Sequence, residues 1–250
     1  MTASILELDS IEQDYRHQGQ NLAVLENINM QVKDGEFICI IGPSGCGKST
    51  LFNIMAGLEQ PRQGEVILNG RKITGERGHI AYMPQHDLLF PWRTLLENVV
   101  IGAEINDYSI EETRHEAREL MPLFGLEGFE DTRPDQLSGG MRQRAALLRT
   151  VLLHKDIMAL DEPFGALDAL TRGQMQEWLL KVWFNLEKTI LFVTHDIEEA
   201  LVLGDRVYIL SQRPGRIIEE LEIELDRPRQ ETSADFLELK QHLLSILEQE

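Results

Sequence analysis

The nine residues GPSGCGKST, Gly42 to Thr50, decide how the rest of this chain is to be read. They follow the apolar run FICII (Phe37–Ile41) and lead into the helical TLFNIMAG (Thr50–Gly57). Gly42, Gly47, Lys48 and Ser49 fit the spacing G-x-x-x-x-G-K-[ST] in the strand–loop–helix setting that the motif requires. Glycines let backbone N–H groups wrap a phosphate without Cβ atoms in the way. The helix that starts at Lys48 turns its positive end toward the same anion. Lys48 is expected to reach the outer phosphates, and the Ser49 hydroxyl to ligate Mg²⁺. A chance match in this length is on the order of one in a hundred, given ordinary glycine usage. Gly42, Ser44, Gly45, Cys46, Gly47, Lys48, Ser49 and Thr50 are therefore candidate nucleotide-binding residues. Cys46 reads as a small residue that the loop tolerates rather than as a reactive thiol.

Outward from the loop, short apolar runs alternate with helix-period segments, which predicts an α/β fold. Strands are expected at Ile5–Leu8, Ala23–Val32, Glu36–Ile41, Glu65–Leu68, Ile80–Met83, Ile157–Leu160, Thr189–Val193, Val207–Leu210 and Arg216–Glu222. Helices are expected from about Lys48, Thr94, Ser109, Ser138, Leu170, Asp196 and Ser233. The interval 86–154 shows three helical patterns and no strand, and reads as a helical subdomain inserted into the sheet of one domain spanning 1–250.

The run IMALDEP puts Asp161 and Glu162 at the end of an apolar strand, 113 positions after Lys48. Adjacent strand residues face opposite ways, so the pair is expected to divide its work. Asp161 would hold Mg²⁺ through its water shell, and Glu162 would polarise the attacking water.

LSGGMRQR (Leu137–Arg144) resembles the signature of ABC ATPases, the nucleotide-binding domains of ABC transporters. With it stand, in family order, the phosphate loop, Gln85, LDEP, GALD (Gly165–Asp168) and VTHD (Val193–Asp196). The resemblance implies a P-loop NTPase fold: a RecA-like core, an antiparallel β subdomain and a helical subdomain. It also implies roles. Tyr15 would stack on adenine, Gln85 would touch Mg²⁺ or the attacking water, and His195 would contact the γ-phosphate. Ser138, Gly139 and Gly140 would close the ATP of a second copy in a head-to-tail homodimer, with Asp168 at the seam. Met141 replaces the commoner Gln of the signature. A thioether there removes neither the hydroxyl, the amides nor the helix dipole.

Within this resemblance PQHDLLFPWRT (Pro84–Thr94) finds a use. In ABC transporters the segment after the Gln receives a coupling helix of the membrane subunit. Leu89, Phe90 and Trp92 are suitable anchors there, so Gln85–Arg93 is the expected contact with transmembrane permease subunits. The wording MPQHDLLFPWRTLLENV, DEPFGALD and LSQRPGRI is similar to the nitrate/sulfonate/taurine class of ABC importers. The implied function is ATP hydrolysis that energises uptake of a small solute, delivered by a periplasmic or extracellular solute-binding protein. An ATPase of lipid export or trafficking, and a non-transport ABC ATPase, stand as alternatives.

Composition agrees with this placing. Lys and Arg number 24 against 42 Asp and Glu, a net charge of −18, which argues against nucleic acid. The segment from Glu219 onward carries ten acids and three bases. Phe236, Leu237, Leu239, Leu243, Leu244 and Leu247 recur at helical spacing, and the resulting tail helix is expected to pack on its own domain. Two cysteines, Cys39 and Cys46, do not suggest a disulfide framework. With no basic–apolar leader and no spanning run, the expected location is the cytoplasmic face of the cell membrane, held there peripherally.

Overall fold

The computed structural model of the chain describes residues 4–17, 19–106, 108–165 and 167–248. The phosphate loop joins strand β3 (Phe37–Ile41) to helix α1 (Lys48–Met55). Every residue of β3 is buried, as are those of β7 (Ile157–Asp161), β8 (Thr189–Val193) and β9 (Arg206–Leu210). Buried, near-continuous apolar runs of this kind belong to parallel strands covered on both faces. With β6 (Ala81–Met83) and β10 (Ile217–Glu222) they form a six-stranded sheet in the order β10-β9-β3-β8-β7-β6. Only β10, at one edge, runs antiparallel.

A second, antiparallel sheet has the order β2-β1-β4-β5, from β1 (Ser4–His17), β2 (Gln20–Lys33), β4 (Gln63–Leu68) and β5 (Arg71–Lys72). Both long strands exceed their sequence expectation. The β1–β2 register slips at several points after Ser4, which breaks the polar–apolar alternation on which the prediction rests. The two-residue, fully charged β5 carries no periodic signal at all. One core joins this sheet to the parallel one, with Ile38, Ile40, Leu51 and Phe52 packed among Leu6, Ile11, Ile28 and Val32. On the opposite face Phe37, Cys39 and Ile41 meet Leu148, Leu179 and Leu201 of helices α5 (Gly139–Val151), α6 (Ala169–Leu186) and α7 (Ile197–Leu203).

Between β6 and β7 the described residues hold no strand. They form α2 (Leu95–Val99), α3 (Ile101–Ile105), α4 (Ile110–Phe124), a 3₁₀ turn at Pro134–Gln136, and α5. Each helix start expected here is a side-chain cap: Thr94 accepts from the Glu97 N–H, Ser109 from Glu112 and Ser138 from Met141. Satisfying these otherwise orphaned amides is the physical reason that the three starts were legible. The first helical pattern nevertheless divides at Val100 into two short helices.

The tail helix α8 (Ala234–Leu247) buries Phe236 and Leu243 in the same core as α7. Arg229 fastens the preceding segment by donating to the carbonyls of Leu201 (2.7 Å) and Gly204 (2.5 Å) at the end of α7. Burial pushes its guanidinium down to about 10. Cations at a helix C-terminus meet its partial negative charge. No helix among the described residues is long and apolar enough to cross a membrane.

The strand order matters most for chemistry. It sets the carboxyl ends of β3, β8, β7 and β6 side by side, where parallel sheets bind ligands. From them issue the phosphate loop, Thr194–Asp196, Glu162 and Pro84–Gln85 respectively.

Candidate active site

A cleft of about 440 Å³ opens at these strand ends. Ser44, Gly45, Gly47, Lys48, Ser49 and Thr50 line it, together with Tyr15, Gln85 and Glu162. Gly47 caps α1 at φ +112°, without a side-chain acceptor for the first amides. A Cβ at that position would lie 2.7 Å from Leu25 Cδ2, so both conformation and space require glycine. The N-terminus of α1 therefore keeps its amides for an anion. Lys48 is buried, and its Nζ donates to the carbonyls of Gly42 (2.7 Å) and Pro43 (3.0 Å), which poises the amine at the loop.

Asp161 and Glu162 do turn to different neighbours. Asp161 is buried, accepts from the Tyr82 hydroxyl at 3.3 Å and is hydrogen-bonded by the Ser49 side chain. Burial pushes its carboxyl above the usual range, against the opposing pull of those two hydroxyls. Glu162 stands at φ +43°, an unfavourable conformation for a side chain of this size, just past the strand. Its Oε2 receives Gln85 Nε2 at 3.1 Å and lies 3.3 Å from His195 Nδ1. One carboxylate oxygen thus gathers side chains from the ends of β6, β7 and β8.

The turn bearing His195 is itself held from below. Buried Glu199 accepts from the Thr194 hydroxyl, and from Gln176 Nε2 at 3.1 Å. Arg172 Nη1 meets Asp196 at 3.2 Å.

At the far end of the cleft the Tyr15 hydroxyl donates to Glu59 (2.6 Å) and lies 3.4 Å from Thr50 Oγ1. Burial and the adjacent carboxylate push the phenol upward.

Two of the expected phosphate-loop residues do not line the cleft. Gly42 backs onto β9, where an added Cβ would come within 2.8 Å of the Leu210 carbonyl oxygen. Cys46 is buried with its Sγ 3.8 Å from Lys48 Nζ, and burial pushes the thiol up. Both cysteines are free. Ser138, Gly139, Gly140 and Asp168 also lie away from the cleft lining. They form a separate corner, in which Cβ atoms added to Gly139 and Gly140 would meet Leu167 (3.8 Å) and Thr171 (3.5 Å) at the start of α6. Ala166, inside the GALD motif, falls outside the described residues. Leu22, Val24 and Arg213 complete the cleft without having been singled out, because no motif connects them to Lys48.

The segment after Gln85 is a hydrogen-bonded loop whose side chains point both ways. Leu89 is buried (8% exposed), whereas Leu88 (60%) and Trp92 (68%) stand in solvent. Leu89, expected as an anchor for a partner, packs instead in the chain's own core. Phe90 is half-buried and packs against Trp92, with ring centroids 5.2 Å apart and planes tilted by 41°. Fully buried Asn98 closes the loop: its Oδ1 accepts from Phe90 N–H (2.6 Å) and its Nδ2 donates to Phe90 O (3.1 Å) and Thr94 O (2.9 Å). Asn98→Ala orphans these groups and should lower stability by about 2–3 kcal/mol, measured by urea unfolding. From α5, Arg149 donates to Asp87 O (2.6 Å) and Leu88 O (3.0 Å), and Arg142 Nε meets Asp87 Oδ2 at 3.2 Å.

Comparison with known proteins places this geometry. The ABC transporter family model matches residues 25–165. An uncharacterised ABC transporter ATP-binding protein of Methanocaldococcus jannaschii is 44% identical over 245 residues, 98% of this chain and 92% of that protein. The aliphatic sulfonates import ATP-binding protein SsuB of Bacillus cereus is 42% identical over 99% of this chain and 96% of its own length. The nitrate import ATP-binding protein NrtD of Synechocystis is 41% identical over 88% of this chain and 83% of its own. Among solved structures, a dimeric bacterial ABC transporter cassette superposes with a TM-score of 0.77 at 34% identity, covering 88% of this chain and 100% of that one. The post-hydrolysis state of a dimeric cassette bound to ADP and Pi superposes at 0.76, again at 34% identity. This chain belongs to the ABC transporter family, as a P-loop cassette that binds and hydrolyses ATP.

Proposed function

We propose that two copies of this chain form the ATP-driven motor of an importer for a small anionic solute, of the sulfonate or nitrate kind. The observation that carries the proposal is the convergence of Gln85 and His195 on Glu162 Oε2, with exposed Leu88 and Trp92 following Gln85 in the same loop. Hydrolytic site and apolar outer surface are thus two ends of one short segment. The relatives matched include a sulfonate import protein over 99% of this chain and a nitrate import protein over 88%, which favours import over lipid trafficking or a non-transport role.

In this reading Tyr15 stacks on adenine, and such stacking contributes roughly 1–3 kcal/mol per base. The amides at the start of α1 and the Lys48 amine receive the phosphates. The Ser49 hydroxyl, the Asp161 carboxylate and the amide oxygen of Gln85 are hard oxygen donors of the kind that suits Mg²⁺. When bound, the ion neutralises charge on the β- and γ-phosphates. Glu162 accepts the proton of the attacking water, and His195 and Gln85 orient that water and the γ-phosphate around the same carboxylate. Ser138, Gly139 and Gly140, remote from their own cleft, cover the nucleotide of the second copy, with Asp168 at the seam. Helix α5 joins the two tasks: its first turn carries that corner, while Arg142 and Arg149 farther along grip Asp87 and Leu88. Dimer closure then moves the 85–93 loop and the permease seated on it. A solute-binding protein supplies the substrate, and the chain itself sits peripherally on the cytoplasmic face of the membrane.

The test is affinity purification of the tagged chain from detergent-solubilised membranes. A stoichiometric polytopic partner is expected. Leu88→Ser/Trp92→Ser should lose at least about nine-tenths of it while melting and hydrolysing ATP like the parent chain, since exposed apolar anchors dominate interfaces and contribute little to folding. Leu89→Ala should instead destabilise the chain by about 2–5 kcal/mol. Recovery of soluble partners only would sink the importer reading.

A further inference from the structure

The base end of the cleft has a second wall. Arg213 lies in the turn between β9 and β10, and that turn is firmly held. Ser211 N–H donates to Arg216 O (2.9 Å), and Arg216 N–H donates to Ser211 Oγ (3.0 Å). Gly215 N–H donates to Val24 O (2.8 Å), and Glu26 N–H returns a bond to Gly215 O (3.0 Å). A Cβ on Gly215 would lie 2.3 Å from Cys46 O, so the turn rests against the phosphate loop itself.

Arg216 is engaged by Glu26 at 2.7 Å. Arg213 is exposed and lines the cleft, and among the described residues it has no hydrogen bond or ion pair. In a chain of net charge −18, a guanidinium held at the rim of the ATP cleft with no carboxylate partner is free to meet a ligand.

Topology shows which part of the ligand it meets. Gly215 bridges Leu25 in parallel, so Arg213 falls beside residues 22 and 23 of β2. Tyr15 pairs with Leu22 from the other edge of the same strand. Leu22 and Val24 share a face and make the floor; Tyr15 and Arg213 rise on either side of it. Val24 Cγ1 lies 3.1 Å from a Cβ built on Gly47, which marks the phosphate end. Two residues back along β2 is about 7 Å farther out. Arg213 therefore stands at the base and away from the phosphates.

We propose that Arg213 is a nucleotide-binding residue that lays its planar guanidinium against the purine of bound ATP, across from Tyr15. Delocalised, weakly hydrated guanidinium groups stack on aromatic faces in this way. The proposal rests on the reading of this cleft as the ATP site, and the test keeps the two apart.

Calorimetric titration of the full chain with ADP, UDP and inorganic pyrophosphate supplies the readout, since none of these is hydrolysed by an ATPase. Arg213→Ala is expected to weaken ADP by about 2- to 30-fold, to weaken UDP less because its ring is smaller, and to leave pyrophosphate unchanged. Arg213→Lys is expected to recover part of the loss. Equal weakening of pyrophosphate would make Arg213 a phosphate contact, and equal weakening of ADP and UDP a ribose contact; either overturns the proposal, as does unchanged ADP affinity. Lys48→Ala is the control for the site: if it leaves ADP affinity intact, the cleft reading fails and the proposal with it. An unaltered melting temperature of unliganded Arg213→Ala is expected, because the side chain touches nothing that holds the fold.

Discussion

Glu162→Gln should lower the rate of ATP hydrolysis by roughly 10³-fold, in the middle of the range for removal of a positioned general base, with ATP affinity almost unchanged. The substitution is nearly isosteric. A glutamine oxygen still accepts from Gln85 Nε2, now 3.1 Å from Glu162, and the backbone keeps its φ of +43°. What disappears is the capacity to take a proton from water. Phosphate release measures the rate, and calorimetry with ATP measures binding. Because nucleotide persists in the cleft, the variant should also elute as a dimer at saturating ATP, each copy's Ser138 corner closing the other's site. Turnover within threefold of the parent would remove Glu162 from the role of base. A monomer under saturating ATP would remove the paired arrangement while leaving the base assignment standing.

Asp161→Asn should lower hydrolysis by about 10²–10³-fold, because a carboxylate–metal pair stabilises several kcal/mol of transition-state charge and each 1.36 kcal/mol is a factor of ten. The same change should raise the melting temperature of the nucleotide-free chain at pH 7. The sign follows from linkage. Burial holds the Asp161 carboxyl above its unfolded-state value, so the folded protein disfavours the ionised form. That penalty is absent below the unfolded pKa of about 3.9, grows as pH rises toward the folded value, and is constant beyond it. Asparagine removes the charge and keeps an oxygen for the hydroxyls of Ser49 and Tyr82. The two melting curves should therefore converge as pH falls toward 4. A variant less stable than the parent at pH 7 would show that the hydrogen bonds outweigh the buried charge.

Much of the fold was legible because its signals are local. FICII, the IMAL of IMALD and the ILFV of TILFV are apolar runs, and each belongs to a fully buried parallel strand. Thr94, Ser109, Ser138, Asp196 and Ser233 announced helices by their capacity to cap them, and each accepts from an amide of the first turn. The gaps have equally physical causes. Arg71–Lys72 form a strand only because β4 offers them an edge, and β1 reaches His17 through register slips that mask its alternation. At Leu88–Trp92, composition marked an apolar run but could not assign its faces. Leu88 turns outward and Leu89 inward because Asn98 and Arg149 hold the backbone between them.

By itself, the sequence determined that this chain carries a phosphate loop, ends a buried strand in an Asp-Glu pair and belongs to the ABC family. A phosphate loop, a strand ending in Asp-Glu and a capped glycine turn are each written within ten residues. Only the tertiary structure decided which groups lie together. Gln85, Glu162 and His195 converge because β6, β7 and β8 lie side by side in the sheet, although 77 positions separate the first two. Arg213 reaches the cleft because Gly215 docks on β2, 190 positions from its nearest partner Leu25. Such meetings depend on the order in which strands pair, and strand order leaves no periodic trace along the chain.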